Sequence, residues 1–318
     1  MNIVIVWTGK SKSGGEYYMS NIYSSFIEAG YRISKYKVKN FNLKKIYILI
    51  CKSVGSGNNF FIYETRSPKI VFISLILKFF GYVTIGIHQE KHWINAKNIY
   101  RNIFLRLCFF LSKQFSNHII TNSILMKSTF TKKNSIIINP GCDRFQKTNI
   151  DYENKKINHL YYFGDISKRK GIKYIKELIK NKLFINSKLK LFVTNKKVFE
   201  LLDSSKCELN ENVNIGNIPK NSIVLVPSFF EGYGMVIAEA IYRGDILVAA
   251  SDRITDELRN KCHMQIFSDS LKVEDRIIKI KNAFNSNFNS QNRSYNLTKW
   301  SEMKDKFINF FIEISQLS

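Results

Sequence analysis

The stretch VLVPSFFEGYGMVIAEAIYRGDILVAAS, from Val224 to Ser251, decides the predicted fold because it sets a helix between two apolar strands. Its two carboxylates, Glu231 and Glu239, are eight positions apart, and Gly-Tyr-Gly follows the first. If the helix begins near Tyr233, Glu231 lies in the loop at the positive helix end and Glu239 lies inside the helix, within about 80° of the same face. The two acids can then contact different parts of one ligand. The alternative is a solvated pair on a surface helix.

Apolar runs alternate with helical patterns along most of the chain. Strands are predicted at NIVIVW (residues 2–7) and KIYILIC (residues 45–51), and helices at about 15–29 and 68–80. Such alternation is typical of a parallel sheet with helices on both faces. The polar, turn-rich stretch 140–158 interrupts the pattern and is predicted to be an interdomain linker, after which the alternation resumes.

The alternation predicts an α/β protein with two Rossmann-like, doubly wound parallel-sheet domains that face each other across a cleft. Residues 1–145 form the predicted first domain and residues 146–298 the second. Residues 299–318 are expected to form a C-terminal helix that packs back on the first domain. Ligands of such sheets bind at the carboxyl ends of the strands, so the cleft is the expected active site.

The charge is large and unevenly distributed. The 318 residues include 49 Lys and Arg against 25 Asp and Glu, which gives a net charge of +24. Residues 1–150 hold 22 basic and 5 acidic residues, a net of +17, and the remainder holds 27 and 20, a net of +7. Such a field attracts a polyanion, either nucleic acid or an anionic lipid surface. Lysine-rich codon usage is the alternative explanation.

Cysteine usage and hydropathy indicate the compartment. The five cysteines are scattered and form no Cys-x-x-Cys pair, which argues against a disulfide framework or a zinc site and fits a reducing cytosol. No stretch reaches the ~18–20 uninterrupted apolar residues of a membrane span. The opening MNIVIVWTGK has no basic leader before its apolar run and is read as a first strand.

Three stretches are suited to hold an anion. Gly14 and Gly15 follow the first strand, where bare backbone N–H groups and a positive helix end can approach an anion closely. Lys170 precedes a glycine that starts a helix in the second half, and a cation there can pair with a diphosphate. An ordinary loop and a solvated basic turn are the alternatives. Further groups that can cap the anion are the Ser228 hydroxyl and the N–H groups of Gly232, Tyr233 and Gly234.

Taken together, these stretches resemble the retaining glycosyltransferases of family 4, which use the two-domain GT-B fold. The family signature is Pro-Ser, then Glu-Gly-aromatic-Gly, then a second Glu after seven intervening residues, then a Gly shortly before an apolar strand. It stands here as Pro227-Ser228, Glu231 to Gly234, Glu239 and Gly244. The other landmarks, in order, are Gly14-Gly15, His88 at the end of VTIGIH, INPGCDRF at the domain switch, Lys170-Gly171 and Trp300. The resemblance spans nearly the whole chain, and the Glu-x7-Glu block is its specific part.

The resemblance implies a role for each of these residues. Glu239 would bind the ribose hydroxyls of a nucleotide-diphosphate sugar, and Glu231 would contact the sugar near the reacting carbon. Lys170, with the amides of Gly15 and of the Gly232–Gly234 turn, would hold the diphosphate and stabilise it as it leaves. His88 would lie near the sugar and acceptor as a hydrogen-bond partner or proton relay; the alternative is a histidine with satisfied hydrogen bonds at a strand end.

No metal and no cofactor are expected beyond the nucleotide-sugar co-substrate, because a lysine and helix ends neutralise the leaving group. The sequence also has no Asp-x-Asp placed at a strand end. One departure concerns Asp165, which stands where family members often carry a second diphosphate cation. Either Lys168 or Arg169 takes that place, or donor affinity is low.

The basic half corresponds to the acceptor half of this fold. Its predicted helix over about 96–113 has one broad apolar face flanked by cations. We interpret that face as core, and the alternative is a basic amphipathic helix that rests on an anionic leaflet. With the face in the core, the charges can still steer the domain to the membrane. The acceptor is then a glycan or lipid-linked glycan of bacterial surface-polysaccharide synthesis, handled in the cytoplasm at the inner membrane face. The residues of the apolar face are Ile99, Tyr100, Ile103, Phe104, Leu107, Phe110 and Leu111.

The predicted enzyme is a metal-independent, retaining glycosyltransferase of the hexosyl type with no nucleic-acid partner. A basic nucleic-acid-binding protein is the rival from another class, although no RNP-type or zinc-finger motif is present. A sugar-nucleotide epimerase of the same fold is the second alternative. Such an epimerase would consume the donor with no acceptor present.

Overall fold

The computed structural model describes residues 1–7, 14–53, 58–89, 98–130, 134–145, 158–202, 205–211, 213–285 and 297–317. The chain divides into two compact units: residues 1–141 with 298–318 form unit 1, and residues 142–297 form unit 2. The sequence predicted domain boundaries after residues 145 and 298, whereas the structure changes unit after residues 141 and 297. Most of the predicted linker, residues 146–157, lies outside the described ranges.

Unit 1 contains a six-stranded sheet in the order β2-β1-β3-β4-β5-β6, and every described strand pair in it is parallel. A helix follows each of the first five strands in the chain. The elements are β1 (Asn2–Trp7), α1 (Gly14–Glu28), β2 (Ile33–Lys37), α2 (Leu43–Ser53), β3 (Asn59–Glu64), α3 (Pro68–Phe79), β4 (Tyr82–His88), α4 (Ile99–Phe115), β5 (His118–Thr121), α5 (Ile124–Lys127) and β6 (Ser135–Ile137).

Unit 2 repeats this architecture with the sheet order β12-β11-β10-β7-β8-β9, again with parallel pairs. The chain then ends in a helix that belongs to unit 1. The elements are β7 (Asn158–Tyr162), α6 (Ile172–Lys180), α7 (Lys182–Ile185), β8 (Leu189–Val193), α8 (Lys196–Leu202), β9 (Cys207–Leu209), β10 (Ile223–Val226), α9 (Met235–Arg243), β11 (Leu247–Ser251), α10 (Asp256–Arg259), β12 (Met264–Phe267), α11 (Val273–Asn285) and α12 (Trp300–Gln316).

The two parallel sheets confirm the predicted fold class of two Rossmann-like α/β domains. Parallel strands need helical crossovers, and burial on both faces selects continuous apolar strands. All six residues of β3 are buried, and five of the six in β1 are. The strand residues Val4, Val6 and Phe61 share one core with Leu77 of α3 and Leu49 of α2.

The C-terminal helix α12 packs on α1 through aromatic rings. Phe26 of α1 makes edge contacts with Phe307 and Phe311, at centroid distances of 5.4 and 4.7 Å. Tyr17 meets Trp300 in the same way at 4.7 Å. Edge-to-face geometry is favoured by the ring quadrupoles, so these contacts add to the burial of the rings. The last helix is therefore an integral part of unit 1.

The predicted strand KIYILIC is wrong, because the structure forms helix α2 there. Its β-branched residues favour a strand locally. However, Ile46 and Leu49 are the buried residues while Tyr47 and Ile48 are exposed, a spacing that suits one face of a helix. A crossover is also needed between the parallel strands β2 and β3, and α2 supplies it.

The assignment of the apolar α4 face to the core is also wrong. Cys108 and Ser112 are the buried residues of this fully described helix. Six of the seven predicted core residues are exposed, and the seventh, Leu111, is half-buried. The fully buried side chains of α4 are small, although Leu111 packs against the core and Phe109 against His88. The six exposed apolar side chains do not contribute to the core. Residues 96 and 97 of the predicted helix lie outside the described ranges.

Among the residues that the structure describes, no helix has both the length and the hydropathy of a membrane span.

Candidate functional site

The candidate site of unit 2 lies at the carboxyl ends of β7 and β10. These two strands are neighbours in the sheet, yet β8 and β9 continue to one side and β11 and β12 to the other. The strand order therefore reverses between them, and such a switch point opens a crevice where ligands of α/β sheets bind. The segment after β7 holds Lys170, and the segment after β10 holds Ser228 and Glu231.

The basic turn after β7 is one 3-10 turn, Lys168–Lys170, closed by Gly171 in the left-handed conformation with φ 69°. A Cβ at Gly171 would overlap the carbonyl oxygen of Pro227. The Phe229 amide also donates to the Arg169 carbonyl at 2.7 Å. Glycine is thus required here both for the backbone conformation and for the close approach of the two segments.

Tyr162, the last residue of β7, supports this turn through a hydrogen bond. The sequence did not predict it as a site residue. Its hydroxyl donates to the Lys170 carbonyl at 3.0 Å and lies 3.3 Å from the Asp165 carbonyl. A Cβ at Gly164 would overlap the Tyr162 ring, so the glycine makes room for it. The pattern Tyr-Phe-Gly at a strand end does not reveal this contact, because it depends on how the chain folds back.

Glu231 is the centre of a charged cluster and is only 7% exposed. Its Oε1 lies 2.5 Å from the Lys170 ammonium and accepts from the Ser228 hydroxyl at 2.7 Å. Its Oε2 lies 3.4 Å from a guanidinium nitrogen of Arg169, which also donates to the Phe230 carbonyl at 3.1 Å. The structure thus brings together four residues that the sequence placed in the site.

The surroundings of Glu231 keep it ionised. Burial raises the pKa of the carboxyl, but the Lys170 and Arg169 cations and the Ser228 hydroxyl outweigh burial and hold the pKa below its usual value. The cluster contains two cations and one anion and therefore keeps a positive charge. A partly buried positive charge at a strand end is suited to an anionic ligand.

Glu239 lies inside α9 and is 6% exposed. Within the described part of the chain, its Oε1 has no hydrogen-bond partner. Burial raises the pKa of this carboxyl to about 7, and the guanidinium of Arg144 opposes the shift. A buried acceptor without a partner is costly, so a ligand that donates to it would gain affinity from that contact. Arg144 belongs to the INPGCDRF segment, which is far from Glu239 in the sequence. Only the fold brings its charge close enough to act on Glu239.

The Gly-Tyr-Gly turn leads into α9 two residues later than predicted. The helix begins at Met235, and Gly234 is its N-cap with φ 88°. This left-handed conformation explains a glycine at position 234. Tyr233 is buried among apolar residues of unit 2 and its side chain belongs to the core. The backbone of Gly232 to Gly234 still lies at the positive end of α9, beside Glu231.

In unit 1, Gly14 and Gly15 open helix α1, as the sequence predicts for an anion site. Gln89, directly after β4, lies close to Gly15: a Cβ there would be 2.6 Å from the Gln89 amide oxygen. The amide nitrogen of Gln89 lies 3.5 Å from the Gly15 carbonyl oxygen. Residues 8–13, which connect β1 to these glycines, lie outside the described ranges.

His88 does not have the environment expected for a substrate-binding side chain. It is 0% exposed. Its Nδ1 lies 3.1 Å from the Thr65 hydroxyl and its Nε2 3.1 Å from the Ser112 hydroxyl. The rings of Phe109 and Phe130 contact it edge-on. This geometry matches the alternative reading, a histidine with satisfied hydrogen bonds at a strand end, and we leave His88 out of the proposed catalytic set.

In the described part of the chain, no three His, Cys, Asp or Glu side chains come together in a way that could hold a metal ion.

Comparisons with known proteins find proteins of similar structure but no match in sequence. No family model matches the chain, and no curated protein matches it. Solved structures similar to it include HepE of Anabaena in complex with UDP, with a TM-score of 0.67, 11% identity, and coverage of 98% of this chain and 100% of that one. A glycosyltransferase from Rickettsia africae matches with a TM-score of 0.64, 14% identity, and coverage of 100% and 99%.

A third similar structure is a putative UDP-N-acetylglucosamine 2-epimerase from Listeria monocytogenes. Its TM-score is 0.62 at 11% identity, with 99% of this chain and 97% of that chain covered. At such identities the likeness concerns the fold. Together with the two six-stranded parallel sheets, it shows that the chain has the GT-B fold, which glycosyltransferases and UDP-N-acetylglucosamine 2-epimerase-like proteins share.

Proposed function

We propose that the chain is a glycosyltransferase that moves a sugar from a nucleotide-diphosphate sugar to a glycan or lipid-linked acceptor. The observation that carries this proposal is that the segment after β10 holds two buried carboxylates with different surroundings, Glu231 in the loop and Glu239 in α9. Glu231 is held by cations, and Glu239 is buried with an oxygen that has no partner in the described chain. A nucleotide sugar supplies both an anion and neutral O–H donors: the anion complements the Lys170 and Arg169 cations beside Glu231, and the donors complement Glu239.

In this proposal Glu239 accepts hydrogen bonds from the ribose hydroxyls. Its raised pKa, about 7, is caused by burial and would fall when two O–H donors bind the carboxylate. Hydrogen bonds to a charged acceptor contribute about 1.5–3 kcal/mol each, so ribose binding would be strong at this position. This supports the role that the Glu-x7-Glu resemblance implies.

Lys170 and Arg169 would bind the diphosphate, helped by the backbone of Gly232 to Gly234. Lys170 already pairs with Glu231, but an ammonium group has three N–H donors and can bind a phosphate oxygen at the same time. Arg169 would take the role of the cation that Asp165 does not supply. Its guanidinium lies at the cluster, whereas Asp165 is exposed and accepts from the Ser167 amide at 2.9 Å.

The sugar would lie against Glu231, whose ionised carboxylate can accept hydrogen bonds or stabilise positive charge near the reacting carbon. The Lys170 and Arg169 cations would stabilise the negative charge on the departing nucleotide, a contribution typically worth several kcal/mol. This arrangement supports transfer without a metal ion. Retention of configuration rests on the resemblance of the Glu231 to Glu239 block to the retaining family.

The proposed setting is bacterial surface-polysaccharide synthesis at the cytoplasmic face of the membrane. The net charge of +17 over residues 1–150 supports it, because an anionic leaflet attracts such a domain. The likeness to a solved structure that contains UDP supports uracil as the base to test first.

An epimerase acting on a nucleotide sugar is the second candidate, since a putative UDP-N-acetylglucosamine 2-epimerase shares the fold. The two candidates differ in their need for an acceptor. A transferase shows acceptor-dependent release of the nucleoside diphosphate, whereas an epimerase converts or cleaves the donor in the absence of any acceptor.

A thermal-shift panel of nucleotides and nucleotide sugars tests the proposal. A specific donor should raise the melting temperature of the wild type by mass action. Glu239→Ala should lose that rise, because the ribose contact is gone, while Glu231→Ala should keep it and mainly lose turnover. Glu200→Ala, at an exposed position of α8, is the matched control and should respond as the wild type does.

If Glu239→Ala is stabilised by the donor as strongly as the wild type, the ribose role is wrong. If no nucleotide stabilises the wild type, the donor site itself is refuted.

A further inference from the structure

Helices α2, α3 and α4 lie side by side on one face of the unit 1 sheet. The rings of Phe72 in α3 and Phe104 in α4 stack at 6.3 Å between centroids. The Lys78 ammonium at the end of α3 donates to the Phe115 carbonyl at the end of α4, at 2.7 Å. Residues of α2 and α3 share the core beneath them. The outer sides of the three helices therefore form one surface, which we call the α2–α4 surface.

The α2–α4 surface is unusually apolar for a part of a protein that faces water. Leu43 of α2 is 82% exposed, Phe79 of α3 is 88% exposed and Tyr100 of α4 is 81% exposed. Contiguous apolar patches of this kind mark interaction sites. The other exposed apolar residues are Tyr47, Ile48, Phe72, Ile76, Phe80, Ile99, Ile103, Phe104, Leu107, Phe110 and Phe115.

The same three helices carry basic residues and no acidic ones. Helix α2 has three Lys, α3 has two Lys, and α4 has two Arg and one Lys, while none of the three contains Asp or Glu. Lys44, Arg101 and Arg106 are exposed. Helix α4 thus combines exposed aromatic and aliphatic side chains with flanking cations, the composition of helices that lie in a membrane interface.

A second copy of the chain does not fit this surface, because a symmetric pair would set two acid-free basic surfaces against each other. An anionic lipid leaflet fits both features. Its headgroups neutralise the Lys and Arg side chains, and its acyl region takes up the apolar ones. Phe is suited to the apolar face of such a helix, and Tyr to the boundary between headgroups and hydrocarbon.

We propose that the α2–α4 surface docks unit 1 on an anionic phospholipid leaflet, with the side chains of Leu43, Phe79 and Tyr100 inserted and the basic residues at headgroup level. The inference deepens the proposed membrane setting by assigning the surface responsible. Docking itself does not depend on the donor site, which belongs to unit 2. A lipid-linked acceptor would then meet unit 1 at the membrane.

Flotation of the full chain with vesicles tests the proposal. The wild type should float with vesicles of phosphatidylcholine mixed with phosphatidylglycerol, and much less with phosphatidylcholine alone. Arg101→Glu/Arg106→Glu should lower the partition coefficient by roughly tenfold or more, because each near-surface cation contributes roughly a fivefold factor. Phe79→Ser/Tyr100→Ser should lower it on the same vesicles while leaving the net charge unchanged.

Two matched controls distinguish binding through this surface from binding caused by net charge or by exposed apolar side chains elsewhere on the chain. Lys180→Glu/Lys279→Glu changes the net charge equally at exposed positions of unit 2 and should keep nearly all binding. Leu201→Ser/Ile278→Ser removes exposed apolar side chains from unit 2 and should do the same. Because all changed residues are exposed, each variant should keep the wild-type melting temperature.

Several outcomes would overturn the assignment. Equal flotation with neutral and anionic vesicles would refute it, as would equal loss in the unit 2 controls. Concentration-dependent dimerisation that Phe79→Ser/Tyr100→Ser abolishes would assign the surface to a second copy. Donor stabilisation in the thermal-shift panel is read separately: if vesicles bind as expected but no nucleotide does, the proposed transferase function fails and the docking surface stands.

Discussion

Glu231 and Glu239 belong to one strand–loop–helix segment of unit 2, yet the fold gives them opposite surroundings. Glu231 contacts two cations and a hydroxyl, and these keep its pKa low. Glu239 is similarly buried, but its pKa is raised to about 7 by that burial and one of its oxygens has no partner in the described chain. The difference shows that burial alone does not set the state of a carboxylate; the groups that reach it do.

This contrast separates two kinds of site residue. Glu231 is a constant anion that positions Lys170 and Arg169. Glu239 is a buried acceptor with one oxygen that has no partner in the described chain, and we propose that a ligand completes its hydrogen bonds. Pairs of carboxylates driven apart in pKa are a common feature of active sites. Five predictions test the comparison.

The largest expected effect is that of Lys170→Ala on turnover. The ammonium is proposed to stabilise the leaving diphosphate, and removing such a group typically lowers the rate by about 100- to 1,000-fold. Turnover of the preferred donor, measured as nucleoside diphosphate released, checks it. Lys173→Ala, which removes a half-exposed lysine paired with Asp269, is the control and should leave the rate unchanged. A stable Lys170→Ala protein with wild-type turnover would limit Lys170 to a structural pairing with Glu231.

The next effect concerns the contact that brings Lys170 to Glu231. Gly171→Ala should lower the free energy of unfolding by about 3 kcal/mol or more. The new Cβ would overlap the Pro227 carbonyl oxygen, and residue 171 has a left-handed conformation that alanine rarely adopts. Gly244→Ala shares a positive φ, 79°, but its Cβ would meet nothing within 4 Å, so it should lose only about 1 kcal/mol. Urea denaturation of both variants measures the difference. Equal losses would mean that strain, and not the close approach, explains Gly171.

Glu239→Gln should change how stability depends on pH. The folded pKa, about 7, lies above the ordinary value of 4.5, so the folded wild type holds a proton that the unfolded chain has lost in this window. Wild-type stability therefore decreases as pH rises from 4.5 to 7, and the Gln variant lacks this decrease. The variant should gain up to ~3 kcal/mol relative to the wild type above that window.

Glu231→Gln should behave in the opposite way. Its folded pKa is lowered, so the ionised side chain contributes stability above the unfolded pKa, and that contribution is lost as pH falls through the folded pKa. This variant should be less stable than the wild type at neutral pH. Chemical denaturation of both variants across the pH range checks the pair, and parallel pH profiles for the two would contradict the contrast.

The smallest expected effect is that of Asp165→Arg on donor affinity. Asp165 is exposed and lies on the same segment as the basic turn, so reversing its charge should tighten donor binding by roughly two- to fivefold. Isothermal titration measures the change. Asp165→Asn keeps an acceptor for the Ser167 amide and removes only the charge, so it should give an intermediate affinity. Weaker binding by the Arg variant would show that Asp165 does not oppose the donor.

Much of the fold could be predicted because strand–helix alternation is a local property of the chain. The two parallel sheets follow from it. Two predicted strands are not strands: KIYILIC forms helix α2, and VNIG, residues 213–216, runs into a 3-10 helix at Ile215–Asn217. The β-branched KIYILIC run is interpreted correctly only when the crossover between β2 and β3 is known. In the site, the spacing of Glu231 and Glu239 was visible in the chain, as was the run Lys168 to Gly171. The Tyr162 hydroxyl that supports this run was not, because it arrives from the preceding strand.

The sequence alone was enough to identify two α/β units and one strand–loop–helix segment with two acids. The periodicity of apolar residues and the positions of glycines are local properties that can be read directly from the order of residues. Three facts came only from three-dimensional packing: Lys170 and Arg169 reach Glu231, His88 is enclosed by hydroxyls and rings, and the apolar side of α4 is exposed. Each depends on which elements become neighbours across long stretches of chain. Burial and pairing, which govern pKa and access, are properties of those neighbours and not of the residue itself.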